Sequence, residues 1–443
     1  MLAVICKYSA IYFLMIPVFL NCRGPAKDLS SEVKINPPDL AEIVSKCDSL
    51  QALGLYQDAA RLYFYCNKGF ESPQIYICAA ELYAVAYIQD SALISVDLAI
   101  NHGMSNPKIL SKLGMENFGL NTALRSKIDQ KLDSIARKIS QLDNFEIITD
   151  PIESFWPYFN AAIADTANAK SYLSDFILNG SAAVKDYYLI RYRNTDKMYR
   201  QMILKTPDLY RYTEGALIDD HLDSITGKAY QLMHKLSDIY PLAVFPKVYL
   251  VPGLANSCGT YTNLGLYVAG EMYVKSENMP ITGLTDWQKN NISGTEWMTL
   301  AIYHELLHFQ QSYHDGKNSS TLIGKIIYEG ACDFLVVLLS DSTGILPIRR
   351  NNLQYLADPV NMQFVLEELK REMYRRDLKN WMYNGGYIKD RPADLGYAIG
   401  YKICESYYQR SEDKKAAIFQ LLNTGNFEGI IAGSEYGKVL QNE

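Results

Sequence analysis

His304, Glu305 and His308 form a His-Glu-x-x-His pattern, the strongest chemical signal in this sequence of 443 residues. On a helix, residues four apart lie on one face, one turn above each other, so both imidazoles can bind one tetrahedral zinc ion. Glu305 between them can act as a general base toward a water molecule on the metal. The spacing therefore predicts Zn²⁺ as the cofactor and hydrolysis as the chemistry of this segment.

The flanking sequence predicts the helix that must carry this pattern. Ser293–Glu296 has the residues of a capping box where the helix would begin, and Asp315–Gly316 is expected to end it. An apolar stripe between these limits would bury one face of the helix. Its residues are Ile302, Leu306, Phe309 and Tyr313. The two histidines lie off this stripe.

A third metal ligand is needed, and His314 is one candidate. It follows His304 by ten residues, the spacing of the third histidine in the metzincin pattern. That pattern requires a glycine, for a sharp turn, at the position held here by Gln311. If the helix continues instead, His314 lies about 9 Å beyond His308 along the axis and cannot reach the metal.

Glu329 is the rival candidate, with Asp333 one helical turn further on. Both carboxylates interrupt an apolar helical run over residues 326–335. Buried carboxylates are costly unless they are paired or bound to metal. If Glu329 binds the metal and Asp333 accepts a hydrogen bond from a ligand imidazole, each carboxylate has a partner. Two histidines and one glutamate also form a known catalytic zinc set, so we prefer Glu329 to His314. The alternative is that both carboxylates point to solvent.

These motifs resemble the gluzincin metallopeptidases, in which Glu-x-x-x-Asp on a second helix follows His-Glu-x-x-His by some twenty residues. Here Glu329 follows His308 by 21 residues, and Asp333 completes the pattern. The sequence is also similar to a family of predicted zinc-dependent proteases of unknown function, often found as bacterial lipoproteins. The similar stretches are 259–272, 304–311, 329–334 and 395–402.

The resemblance implies hydrolysis of peptide bonds in a peptide or protein substrate, with Glu305 as the general base. It also implies that the strand at 264–269 is the edge of the cleft and pairs with an extended peptide. A donor for the oxyanion is required as well. Tyr397 and Tyr401, four apart on a predicted helix, are the candidates, and ordinary helix packing is the alternative for each.

Residues 1–21 have the pattern of a secretory signal peptide, because Lys7 precedes an apolar run that is too short for a membrane span. The run ends at Asn21-Cys22, which resembles a bacterial lipoprotein box with Cys22 as the lipidated residue. An ordinary signal peptide or a single anchor is the alternative. We expect an exported lipoprotein of the cell envelope, at the outer membrane or in the periplasm, attached to the membrane by its N-terminal lipid. The polar residues 22–38 would form a tether.

Residues 39–145 are predicted to form a helical module. Gly69–Pro73 recurs as Gly103–Pro107 after 34 residues, the period of tetratricopeptide helix pairs. Such modules bind partner segments or pack on a neighbouring domain, so a protein partner is expected here. A plain helical bundle is the alternative.

Residues 146–443 are predicted to form the zinc metallopeptidase domain. Short strands are expected within 244–251, 259–262 and 264–269, with helices on both sides. The expected fold is therefore mostly α with a small β-sheet (α+β), a tetratricopeptide-like helical module followed by a gluzincin-like zinc metallopeptidase domain. An envelope scaffold or motility-type lipoprotein that keeps the metal but does not cleave is the functional alternative.

Composition narrows the choice of partners. The net charge is -6 and there is no long basic run, so nucleic acid is not expected as a partner. The six cysteines after Cys22 are scattered along the chain, so neither a zinc ribbon nor a dense disulfide framework is expected.

Overall fold

Helices make up most of the protein, and a four-stranded sheet lies among them, which confirms the predicted mostly α fold. The computed structural model describes residues 36–217, 219–312, 320–340, 347–385, 388, 391–423 and 425–441. The predicted signal peptide, Cys22 and most of the tether lie outside these residues. In the described part of the chain, no helix combines the length and apolar character that a membrane span requires. The cysteines in that part are all free thiols.

The described part of the chain begins with helices, and each of the first three packs on the next. The helices before the first strand are α1 (Leu40–Ala52), α2 (Tyr56–Cys66), α3 (Pro73–Val85), α4 (Gln89–Asn101), α5 (Ile109–Lys112) and α6 (Ala123–Ile139). Gly69 and Gly103, after α2 and α4, have φ angles of 82° and 108°. Glycine adopts such angles without a Cβ clash, which explains why it recurs at this spacing. The tetratricopeptide assignment and the division at residue 146 stay predictions.

Along the chain, a second group of helices lies between strand β1 (Ile147–Ile148) and the next strand of the sheet. These helices are α7 (Asp150–Glu153), α8 (Phe155–Ala164), α9 (Ala169–Asn179), α10 (Ala182–Tyr187), α11 (Thr195–Met198), α12 (Pro207–Ala216) and α13 (Asp219–Ile239). Two π-helical segments, Tyr188–Tyr192 and Tyr199–Lys205, interrupt the regular α-helix here.

The sheet has the order β1-β2-β4-β3, with β2 (Val248–Val251), β3 (Gly259–Tyr261) and β4 (Leu266–Ala269). The pairs β1–β2 and β2–β4 are parallel, and β3 is antiparallel to β4. The predicted strands are present but shorter than expected. Sequence patterning did not find β1, because two residues are too few to show an alternating pattern.

Strand β4 pairs with β2 on one side and with β3 on the other. The prediction that the strand at 264–269 forms the edge of the cleft is therefore wrong. All four residues of β4 are buried, which is typical of a central strand. The edge strand is β3, whose residues are only partly buried.

The two faces of the sheet pack against different helices. Val248, Leu250 and Val268 belong to the hydrophobic core that contains the His-Glu-x-x-His helix. Tyr267, on the other face, belongs to the core of the N-terminal helices, and its ring stacks on that of Tyr187. Side chains alternate between the faces of a strand, so one short sheet joins both cores.

Helices again dominate after the sheet. They are α14 (Asp286–Asn291), α15 (Met298–Gln310), α16 (Leu322–Leu339), α17 (Pro347–Leu356), α18 (Pro359–Glu372), α19 (Leu395–Arg410), α20 (Lys414–Asn423), α21 (Phe427–Gly433) and α22 (Gly437–Gln441). Helix α15 carries both predicted histidine ligands, and α16 carries both predicted carboxylates. The chemistry of the site therefore depends on how these two helices are held.

Helices α16 and α19 touch backbone to backbone. A Cβ on Gly330 of α16 would lie 2.1 Å from the carbonyl carbon of Gly400 on α19. A Cβ on Gly400 would in turn lie 2.1 Å from the backbone oxygen of Ile326. No side chain fits between backbones this close, so glycine is required on both helices.

We expect Gly330→Ala to lower the free energy of unfolding by about 1–3 kcal/mol or more, because the helices must separate. Gly227→Ala is the matched control. Gly227 lies within α13, and a Cβ there would meet nothing within 4 Å. The control should raise stability by about 0.5–1 kcal/mol through helix propensity. Chemical denaturation measures both, and equal effects would contradict the close packing.

Candidate metal centre

Helix α15 begins later than the sequence predicts. A 3-10 turn, Thr295–Trp297, precedes Met298, and Gly294 caps this turn without a side-chain hydrogen bond. The predicted capping box at Ser293–Glu296 is therefore wrong. A capping box does form nearby, between Thr285 and Gln288 at the start of α14.

The helix also ends earlier than predicted, at Gln310. Gln311 has an extended ψ of 128° and leaves the helical path. The predicted end at Asp315–Gly316 is therefore wrong for this helix. His314 lies outside the described residues, so the structure does not test whether it is a ligand.

The structure brings three predicted ligands together between α15 and α16. Nε2 of His308 lies 3.0 Å from Nε2 of His304 and 3.0 Å from Oε2 of Glu329. Nε2 of His304 lies 3.4 Å from the same carboxylate oxygen. All three side chains are buried. Two imidazoles and one carboxylate thus direct one atom each toward a common point.

These distances fit a zinc ion. Zinc binds imidazole nitrogen and carboxylate oxygen at about 2.0–2.2 Å, which places tetrahedral ligand atoms about 3.3 Å apart. The observed separations of 3.0 and 3.4 Å bracket that value. His304, His308 and Glu329 form a buried group that could bind a metal ion, and its donors are those of catalytic zinc sites.

Asp333 contacts His304 at Nδ1, the ring nitrogen that does not face the other two ligands. Nδ1 of His304 lies 3.0 Å from Oδ1 of Asp333, an ion-pair contact rather than a well-aligned hydrogen bond. Arg349 donates from Nε to the other oxygen of Asp333 at 2.7 Å. Burial disfavours the imidazolium, but the contacts with Asp333 and Glu329 outweigh it and raise the pKa of His304 to about 10. A metal dication would replace the proton that these groups share.

Gln311 supports His308. Its side-chain oxygen accepts from Nδ1 of His308 at 2.8 Å, and its amide nitrogen donates to the backbone oxygen of Tyr328 at 2.8 Å. The second bond orients the amide, so we assign the His308 proton to Nδ1, which leaves Nε2 as the metal-binding nitrogen. The His308 ring also lies nearly parallel to the rings of Tyr328 and Tyr261, at centroid distances of 4.5 and 5.9 Å.

Glu305 lies beside the three ligands and under strand β3. A Cβ on Gly259 would lie 2.8 Å from Cγ and 2.9 Å from Oε1 of Glu305, so only glycine fits at this point of the strand. Burial raises the pKa of Glu305, and the nearby His308 and His304 oppose the rise. A carboxyl whose pKa is moved toward neutrality is suited to exchange protons with a substrate.

Glu305 and the three ligands line one cavity of about 590 Å³. This volume lies within the range of about 300–1,000 Å³ that is usual for ligand sites. Strand β3 forms part of the wall, together with Arg191, Arg349 and Tyr383. The predicted catalytic group therefore faces a space that a substrate can enter.

The two tyrosines predicted as oxyanion donors lie in different places. Tyr397 lines the cavity, and its ring packs under the guanidinium of Arg349 at 3.6 Å. Tyr401 does not line it and donates its hydroxyl to Glu405 at 3.0 Å. Of the pair, the structure brings only Tyr397 to the site.

Sequence reasoning missed a third tyrosine. Tyr383 donates its hydroxyl to Oε1 of Glu329 at 3.2 Å. Its φ of 59° is strained for a bulky residue, and the next residue, Asn384, exchanges hydrogen bonds with Asp394 that hold the segment. Tyr383 lies between helices, in a segment without periodicity, so no pattern in the sequence pointed to it.

Residues 285–425 match the model of a family described as Predicted Zn-dependent protease (DUF2268). The matched segment contains the three ligands and the similar stretches 304–311, 329–334 and 395–402, whereas stretch 259–272 precedes it. The match confirms the predicted resemblance to a family of zinc-dependent proteases. No similar curated protein and no similar solved structure were found.

We expect Asp333→Asn to weaken zinc binding by about 10- to 100-fold, because His304 loses the carboxylate that orients its ring. Competition with a fluorescent chelator measures the affinity. The control is Asp286→Asn, whose side chain is 95% exposed and pairs with Lys289 rather than with a ligand. Unchanged affinity in the Asp333 variant would show that this carboxylate does not support the metal.

Proposed function

We propose that this protein is a zinc-dependent peptidase of the bacterial cell envelope. The observation that carries the proposal is the convergence of His304, His308 and Glu329, with Glu305 beside them in an accessible cavity. The family description of the matched segment agrees with this chemistry. Zinc-dependent peptide hydrolysis uses a Lewis acid and a base that face the same carbonyl, and this arrangement supplies positions for both.

Bound zinc would supply a Lewis acid that lowers the pKa of a water molecule and polarises the substrate carbonyl. Glu305 accepts a proton from the attacking water and passes it to the leaving amine. The partly buried position of Glu305 suits this role, because its pKa lies above the ordinary value for glutamate. Asp333 and Gln311 keep both imidazoles oriented while this occurs.

Tyr383 is the best-placed donor for the developing oxyanion. Its hydroxyl donates to the predicted ligand Glu329, so it lies next to the place where a substrate carbonyl on the metal would develop negative charge. Tyr397, whose ring lies 6.2 Å from that of Tyr383, is its neighbour in the cavity wall. This assignment replaces Tyr401 with Tyr383 in the predicted pair.

Strand β3 is the natural place for a substrate. It is the edge strand opposite β1 in the described sheet, and all three of its residues line the cavity. An extended peptide can add to such an edge through main-chain hydrogen bonds. The peptide carbonyls would then run past Glu305, which lies under Gly259.

The envelope location rests on the N-terminal sequence. Lys7, the apolar run after it and Cys22 resemble a lipoprotein signal. The polar residues 22–38 that follow would form a tether to the folded part. Helices α1–α4 would be available to a protein partner in this arrangement.

We expect Glu305→Gln to retain one zinc per chain and to lower kcat by about 10²- to 10⁴-fold, because the metal ligands remain but the base is lost. Metal analysis and cleavage of a peptide library check the two parts. Protein purified without chelator that holds no zinc would contradict the site. A variant that keeps zinc and cleaves as fast as the wild type would exclude Glu305 as the base.

A scaffold that binds metal without cleaving is the competing function. It predicts a stable protein partner and no cleavage of any library peptide by the wild type. The intact Glu305 beside the ligands favours the peptidase, because a purely structural metal site needs no base.

We expect Cys22→Ser to move the protein from the membrane fraction to the soluble fraction of the expressing bacterium, because lipid attachment requires the thiol. Cys47→Ser is the control, since Cys47 is a buried thiol in α1. Fractionation and labelling with a radioactive fatty acid measure both variants. A wild-type protein found without lipid would refute the anchor and leave the peptidase proposal in place.

A further inference from the structure

Only some residues of the edge strand β3 have backbone groups that can pair with a peptide. In the ladder with β4, the amide of Ala269 donates to the carbonyl of Cys258, and the amide of Thr262 donates to the carbonyl of Gly265. Backbone groups of an antiparallel strand alternate in direction, so Gly259 and Tyr261 direct theirs away from β4. These two residues are therefore the ones that an added strand would meet.

The carbonyl of Gly259 is already occupied. It accepts from Oγ of Ser257 at 2.8 Å and from Nη2 of Arg191 at 3.2 Å. A carbonyl oxygen has two lone pairs, and both are used here. A peptide can therefore pair fully with Tyr261 but cannot donate to the carbonyl of Gly259, so the regular ladder is incomplete at that end of the strand.

Arg191 brings a positive charge to this end of the strand. Burial raises the pKa of Glu305 in the same cavity, and the Arg191 charge helps to oppose that rise. It belongs to the π-helical segment Tyr188–Tyr192 and lines the cavity, and it uses one hydrogen bond, to Gly259. Its Nε is buried without a partner. Among the described residues, no carboxylate lies within ion-pair distance of it, whereas Arg349, the other arginine of the cavity wall, is paired with Asp333.

The charge sets the direction of the peptide. A peptide antiparallel to β3 runs from Tyr261 toward Gly259 and brings its C-terminus to Arg191. A parallel peptide would bring an α-ammonium group there, which the guanidinium repels. Arginine binds carboxylates through paired donors, so it favours the antiparallel direction.

We propose that Arg191 binds the C-terminal carboxylate of the substrate, so that the enzyme releases short fragments from the C-terminal ends of peptides. Glu305 lies under Gly259, and strands rise about 3.4 Å per residue, so the scissile bond lies within about one or two residues of the carboxylate. Water adds across that bond: the shortened peptide gains the hydroxyl as a new carboxylate, and the leaving amine gains a proton. The inference rests on the proposed peptidase function.

The test uses the full-length, zinc-loaded protein and a pool of random octapeptides, prepared once as free acids and once as C-terminal amides. Mass spectrometry follows the fragments. We expect kcat/KM to be about 10- to 100-fold higher for the free acids, the usual effect of a charge-assisted hydrogen bond. Equal rates for acids and amides, or cleavage mainly at internal bonds, would overturn the proposal and leave the peptidase function standing.

Variants separate substrate binding from a structural role. Arg191→Met should bring the acid-to-amide ratio close to one, and Arg191→Lys should give an intermediate ratio, because lysine keeps the charge without the paired donors. Arg200→Met, an exposed position in the next π-helical segment, should keep the wild-type ratio. If Arg191 only holds β3 in place, its variants slow acids and amides equally, and the unchanged ratio contradicts the proposal.

A binding measurement works even if no peptide is cleaved. The Glu305→Gln protein is mixed with each pool, and the retained peptides are counted after rapid filtration. Free acids should be retained about 10- to 100-fold better than amides, and adding Arg191→Met should remove the difference. Equal retention overturns the carboxylate site, whereas preferential retention without wild-type cleavage supports the site and refutes the peptidase.

Discussion

The buried carboxylates Glu329 and Asp333 impose the constraint around which the site is built. Both lie on α16 among apolar side chains, where an unpaired charge would be costly. Their partners are the imidazole of His304, the imidazole of His308 and the guanidinium of Arg349. Each imidazole uses its Nδ1 on a supporting group, so both Nε2 atoms face the same point. The requirement that buried charges be paired thus also prepares a metal site.

Close backbone contacts at glycine residues hold the paired carboxylates and Glu305 in position. Helices α16 and α19 touch through Gly330 and Gly400, which holds the carboxylate helix firmly against the C-terminal helices. Gly259 lets strand β3 lie directly on Glu305. Side chains at these positions would force the helices, the strand or Glu305 to shift, and displacements of about 1 Å are costly in a catalytic site. Packing and chemistry therefore depend on the same glycines.

The cavity is completed by segments that lie far from the ligands in sequence. The matched segment 285–425 contains the metal ligands, Glu305 and Tyr383, whereas Gly259 and Arg191 precede it. Arg191 reaches the cleft because the helical segment that carries it lies against the edge strand β3, where Arg191 donates to the backbone oxygen of Gly259. In the proposed function, reaction chemistry and substrate choice are thus assigned to different parts of the chain, as is common in proteins whose loops carry the binding residues.

The sequence by itself predicted His304 and His308 as metal ligands, because helical periodicity places them on one face. It favoured Glu329 over His314 as the third ligand, because buried carboxylates at the spacing of Glu329 and Asp333 require partners. It also predicted the mostly α fold with a small sheet. Only the tertiary structure decided which strand is the edge, since strand order depends on pairing between distant segments. It also decided that Gln311 ends the helix and supports His308, and that Tyr383 and Arg191 reach the cavity. Such contacts join residues in irregular or distant segments, and no local sequence pattern predicts which of these side chains come into contact.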